Sequence, residues 1–118
     1  MVEGVGGWCV PLSKTFDIPA LARGLGLPVV LVVGLRLGCL NHARLSAESI
    51  TAGGCRLVGW VGNRLTAQPM DRQADNVATL KQLLPAPCWG VVSHFDVLTP
   101  AAVAAHLDGT ALMHVLNE

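Results

Sequence analysis

The stretch Pro28-Val29-Val30-Leu31-Val32-Val33-Gly34 decides the fold. A strand with one wet face alternates apolar and polar side chains, whereas Val29 to Val33 is apolar without a break and rich in β-branched residues, as a strand covered on both faces requires. Two further runs follow, Leu57 to Val61 and a weaker one from Cys88 to Val92. They recur about every thirty residues, the length of one strand-plus-helix unit. The segments between them carry helical periodicity. Asn41 to Ala52 sets Leu45, Ile50 and small alanines among polar residues and stops at Gly53-Gly54, and Arg72 to Leu84 aligns Val77, Leu80, Leu83 and Leu84 before Pro85 ends it. Pro100 to Leu107 follows Thr99, a fitting N-cap, and a shorter helix is expected over Ile18 to Gly24. This order implies a single α/β unit over residues 1–118, a parallel sheet with flanking helices and right-handed crossovers. Ligands of such sheets sit at the carboxyl ends of strands, here Gly34 to Asn41, Gly62 to Thr66 and Ser93 to Asp96.

A chain of 118 residues holds one domain, and with 52% hydrophobic and only 14% charged residues it is not a disordered one. Eight Lys and Arg offset eight Asp and Glu, leaving no positive excess to displace counterions from nucleic acid or to grip an anionic membrane. The longest apolar stretch, Pro28 to Leu40, is broken by Arg36 and falls short of the roughly 20 residues of a membrane span. The opening Met-Val-Glu-Gly lacks the basic and apolar regions of a signal peptide. Cys9, Cys39, Cys55 and Cys88 contain no C-x-x-C pair and read as buried thiols of a reducing cytoplasm, not as a disulfide framework or zinc site.

Three stretches carry chemistry. Val2-Glu3-Gly4-Val5-Gly6-Gly7-Trp8 joins a carboxylate to a glycine-rich turn; such a turn lets backbone N–H groups approach a phosphate, and one or two carboxylates with phosphate oxygens suit Mg²⁺, but a plain flexible turn uses the same residues. Gly38-Cys39-Leu40-Asn41 falls between strand and helix, where free amides and the helix dipole favour a carboxylate or phosphate; equally, Asn41 can be a simple N-cap and Cys39 core packing. Gly59-Trp60-Val61-Gly62-Asn63-Arg64 ends the second strand, and the Asn63 amide offers the donor and acceptor that adenine matches, although Asn at a strand end also serves as a turn residue. Other patterns fail. Ser13 replaces the second glycine of a G-x-x-x-x-G-K-[ST] loop, no nucleophile elbow surrounds Ser93, His94 or Asp96, and Cys39-x-x-His42 lacks a second pair of zinc ligands. His106 and His114 are expected at the surface.

Together with Pro11-Leu12-Ser13, Leu27-Pro28, His42-Ala43 and Pro85-Ala86-Pro87, these stretches resemble, in order and spacing from Val2 to about Gly90, the carboxyl-terminal half of the dethiobiotin synthetase family. The resemblance implies a P-loop NTPase-like fold whose amino-terminal P-loop half is missing from the match. It implies a homodimer that uses Mg²⁺ and ATP to close the ureido ring of dethiobiotin from 7,8-diaminopelargonate and CO₂ in the cytoplasm. By resemblance Glu3 is an Mg²⁺ ligand, Glu3, Gly4, Val5 and Gly6 line the nucleotide phosphates, Asn63 and Arg64 bind adenine, and Gly38, Cys39, Leu40 and Asn41 receive the substrate carboxylate. Ser93, His94 and Phe95 stand where the family pattern has a proline at the nucleotide. No catalytic residue falls in this half, and phosphoryl transfer depends on charge stabilisation by the phosphate-loop side, so the fragment alone is expected to be inactive unless joined by a complementary amino-terminal half. The alternatives are a non-catalytic dimerisation or interaction module of the same fold and a different ATP-dependent ligase of the superfamily.

Overall fold

Each of the three apolar runs is a strand in the computed structural model, which describes residues 1–118. β1 (Val29–Gly34), β2 (Leu57–Asn63) and β3 (Cys88–Val92) pair in parallel in the order β1-β2-β3. α1 (Ile18–Leu25) precedes the sheet, α2 (Cys39–Ala52) and α3 (Gln73–Leu83) form the two crossovers, and α4 (Pro100–Ala104) and α5 (Gly109–Leu116) follow. Asp17, Thr99 and Asp108 cap α1, α4 and α5, each side chain accepting a backbone N–H three residues on.

Right-handed crossovers that advance in one direction along a sheet land on the same face. α2 and α3 therefore cover one face together, and the core lies there: Val33, Leu35, Cys39, Ala43, Ala47, Trp60, Leu80 and Leu84. The buried stripe of α2 is Cys39, Ala43 and Ala47, small residues that let the helix approach the sheet, followed by the larger Ile50, while Leu45 is exposed. Leu83 of α3 is exposed as well, one step round from buried Leu80 and Leu84. Full burial of a side chain such as Ile50 or Leu80 is worth about 1.5–3 kcal/mol.

On the opposite face β2 and β3 are largely covered, with Gly59, Trp89 and Val92 buried, but β1 departs from the expectation of strands covered on both sides. Val30 and Val32 stand on it, 38% and 63% exposed, because an uninterrupted valine run reports a preference for extended backbone and not what packs upon it. The reading of four buried thiols also fails: Cys39 is buried, Cys55 and Cys88 are half-buried, and Cys9 is exposed in an irregular segment, its Sγ 3.5 Å from Ser49 Oγ.

On the same open face, β3 carries a bulge. Trp60 pairs with Cys88 and Val61 with Gly90, so Trp89 is the extra residue, and its ring lies directly on Gly59. A Cβ at position 59 would come within 2.3 Å of Trp89 Cε2. Gly59→Ala must therefore push a buried indole off its seat, at a cost of about 1–3 kcal/mol. A fall in the urea midpoint with a shifted tryptophan emission is the expected result, and an unchanged midpoint would refute this packing.

The residues after β3 form an arm pinned to its outer margin. Gly90 bridges antiparallel to Leu107, and the Asp108 N–H donates to the Trp89 carbonyl at 2.7 Å. At the far end Arg56 pairs with Glu118 at 2.5 Å, and the guanidinium holds that exposed carboxyl below its ordinary range. His106 is not a surface residue as expected. It is half-buried, edge-on to Phe95 at 5.3 Å between ring centroids, with Nδ1 3.0 Å from the Ala102 carbonyl.

Candidate functional site

The parallel register gathers the strand ends. Gly34 pairs with Asn63 and Asn63 with Val92. Beyond the ladder, the Leu35 N–H donates to the Asn63 carbonyl at 2.8 Å and the Arg64 N–H donates to the Val92 carbonyl at 3.0 Å. Gly34, Asn63, Arg64 and Ser93 thus stand side by side at the carboxyl margin of the sheet. Alternation along β2 puts Asn63 on the open face with Val61, next to Val32 and away from the core. Its half-buried side-chain amide has no hydrogen-bond partner within the chain, so one donor edge and one acceptor edge remain available to a ligand. His94 is exposed, and the Phe95 ring is engaged by His106.

The Arg64 side chain does not extend into solvent. Its Nε donates to the Thr66 carbonyl at 3.1 Å and a terminal nitrogen donates to the Ala67 carbonyl. Thr66 Oγ1 in turn donates to the Gln68 carbonyl at 2.6 Å. Leu65, between them, lies over β1: its Cδ1 is 3.0 Å from the point where a Gly34 Cβ would sit.

At the start of α2 the N-cap is Gly38, with φ 92°, and no side chain caps the helix. This corrects the reading of Asn41 as a possible cap, since Asn41 is the third helical residue and is exposed. A left-handed glycine turns the chain into the helix without a side chain, leaving the Asn41 amide group for other use. The Cys39 N–H bonds to the Arg36 carbonyl and the His42 N–H to the Gly38 carbonyl, while the Leu40 and Asn41 N–H groups have no acceptor in the chain. Cys39 itself is 2% exposed and packs in the core.

Glu3, Gly4, Val5 and Gly6 are exposed in an irregular segment, where Gly6 and Gly7 adopt φ 93° and 112°. Gly4 approaches Ile18 at the start of α1, and no hydrogen bond or strand pairing ties residues 3–6 to Asn63 or to the head of α2. The Glu3 carboxylate is alone. No group of three or more His, Cys, Asp or Glu side chains lies together, and a single carboxylate such as Glu3 suits Mg²⁺ only together with phosphate oxygens and water.

The three-stranded parallel sheet with its two crossover helices is an α/β unit, a class whose ligands characteristically meet the carboxyl ends of the strands. The AAA domain family model matches residues 1–102, and the chain belongs to that family. Over 108 residues the chain is 57% identical to an ATP-dependent dethiobiotin synthetase of Pseudomonas aeruginosa, covering 92% of this chain and 47% of that protein. Enzymes of the same name from Xylella fastidiosa and Ralstonia nicotianae are 52% and 54% identical, covering 91% and 96% of this chain and 47% and 49% of theirs. The chain thus spans about half the length of these relatives, and the match is to their carboxyl-terminal half. No helix is long and apolar enough to cross a membrane.

Leu65 is the neighbour of Asn63 that sequence reasoning passed over. Its signal was Gly34, a glycine closing a valine run where the sheet needs no turn, which marks a close approach by another group.

Proposed function

We propose that this chain supplies the adenine side and the substrate-carboxylate side of a dethiobiotin synthetase, the ATP-dependent closure of a ureido ring on 7,8-diaminopelargonate with CO₂. The observation that carries the reading is identity of more than half the positions to enzymes of that name along nearly the whole chain. In this reading the Asn63 amide pairs with the adenine edge, with Arg64 and Ser93 to Phe95 beside it. The open Leu40 and Asn41 N–H groups and the Asn41 side chain take the carboxylate of the diamine, across the interface of a homodimer. ATP phosphorylates a carbamate formed from one amine and CO₂, and the second amine displaces phosphate to close the ring. Positioning and neutralising the phosphoryl group fall to the P-loop side, so the 118 residues alone bind nucleotide weakly and without dependence on Mg²⁺. The setting we infer is the cytoplasm.

The test mixes the chain with the P-loop half of the Pseudomonas enzyme as a separate polypeptide and follows ring closure. Asn41→Ala should weaken the diamine by about 1.5–3 kcal/mol, the worth of a hydrogen bond to a charged group, and leave the KM for ATP unchanged. Because Gly38 and not Asn41 is the N-cap of α2, helix content should not fall. Asn63→Ala should do the reverse, raising the KM for ATP and relaxing the preference for adenine. A stable but inactive mixture would overturn the reading in favour of an interaction module.

A further inference from the structure

We propose that Arg64 is a positioning residue for Asn63: its guanidinium clamps the turn after β2 so that Leu65 lies across Gly34 and walls the Asn63 amide on the β1 side. The inference rests on the adenine reading of Asn63 given above. Three observations carry it. Two of the guanidinium's five N–H donors are held inside the turn, on the carbonyls of Thr66 and Ala67. Leu65 Cδ1 comes within 3.0 Å of a Gly34 Cβ position, so a Cβ added there would displace the leucine side chain. Gly34 is the direct strand partner of Asn63, so the Leu65 methyl groups border the face from which the Asn63 amide projects, and buried Val92 borders it on the other side.

The chemistry follows from that border. An amide in open water gains little by pairing with a base, because water competes for both of its edges; Leu65, itself 46% exposed, and buried Val92 reduce that competition and offer an aliphatic surface to the ring. A planar base with a donor and acceptor edge is the class of ligand that such a border suits. Arg suits the clamp because its fork reaches two carbonyls at once, which the single ammonium of lysine does not reproduce.

The experiment uses the full 118-residue chain and nuclear magnetic resonance. In the unmodified chain the Arg64 Nε–H should give a resolved, slowly exchanging signal, and the Leu65 methyls should show cross-relaxation to Gly34. Arg64→Met should erase the contact to Gly34, Arg64→Lys should retain only part of it, and Gly34→Ala, which leaves the clamp intact, should displace Leu65 alone. Titration with ATP and GTP then reads the Asn63 side-chain amide. Arg64→Met and Gly34→Ala should each lower ATP affinity roughly threefold to tenfold and narrow the ATP over GTP preference, a selectivity that simple loss of stability would not alter. If Arg64→Met leaves the Leu65 to Gly34 contact in place, the clamp is wrong whatever the nucleotide does. If Asn63→Ala lowers ATP affinity while Arg64→Met and Gly34→Ala do not, the wall is wrong and the adenine reading stands. If the clamp is seen but Asn63→Ala changes nothing, the adenine reading fails, and the positioning role with it.

Discussion

Gly90→Ala is expected to free the arm that follows β3. Two independent penalties fall on this position. Its φ of 145° lies where side chains are rarely tolerated, and a Cβ there would come within 2.0 Å of the His106 carbonyl oxygen, a backbone atom that cannot rotate away. Strain of this kind costs about 1–3 kcal/mol, and the clash adds the loss of the Gly90 to Leu107 bridge and of the bond from Asp108 to Trp89. Limited proteolysis should then cut between residues 93 and 108 at least tenfold faster, since every 1.4 kcal/mol is worth about a factor of ten in the open population. The α2 and α3 face makes none of these contacts, so its slow-exchanging amides should persist. Protease resistance equal to that of the unmodified chain would show that the arm does not depend on Gly90.

Trp60→Ala is expected to have the larger global effect. Trp60 is wholly buried in the cluster under α2 and α3, and truncating such a side chain costs about 3–5 kcal/mol. Against a total of about 5–15 kcal/mol for a small domain, that removes about a fifth of the stability or more. The indole N–H has no partner in the core, so Trp60→Phe, which deletes the N–H and keeps most of the apolar surface, should cost much less. Thermal unfolding of the two variants side by side checks this, and equal losses would mean that the N–H finds a partner after all.

Strands and crossover helices were legible because each segment is punctuated: Pro28 and Gly34 bound the first run, Gly62 ends the second, Pro87 opens the third, and Gly53-Gly54 and Pro85 end the helices near where the structure ends them. Burial was less legible. Leu45 and Leu83 are as apolar as Leu80 yet exposed, since a short helix lying on a sheet buries one narrow stripe and the choice of stripe is made by the crossover and not by periodicity. α5 escaped because Gly109 weakens its first turn, although Asp108 was a readable cap. The candidate site divided in the same way. Asn63 and the head of α2 follow from the rule that ligands meet strand ends, but the rule is blind to what a turn folds back upon, and so to Leu65 over Gly34. Glu3 to Gly6, with no regular element to anchor them, were readable only as a motif.

The bulge at Trp89 and the arm beyond it give the sheet two unlike margins. At β3 the antiparallel bridge through Gly90 stoppers the ladder, and the kink at the extra residue turns the strand out of register with any straight newcomer. β1 is paired only on its β2 side, is straight beyond its first residue, and presents Val30 and Val32. The ladder is therefore a one-ended template. Whatever strand joins it, wanted or unwanted, enters beside Val32, and a charged residue placed there would bar that entrance while leaving the carboxyl margin with Asn63 untouched.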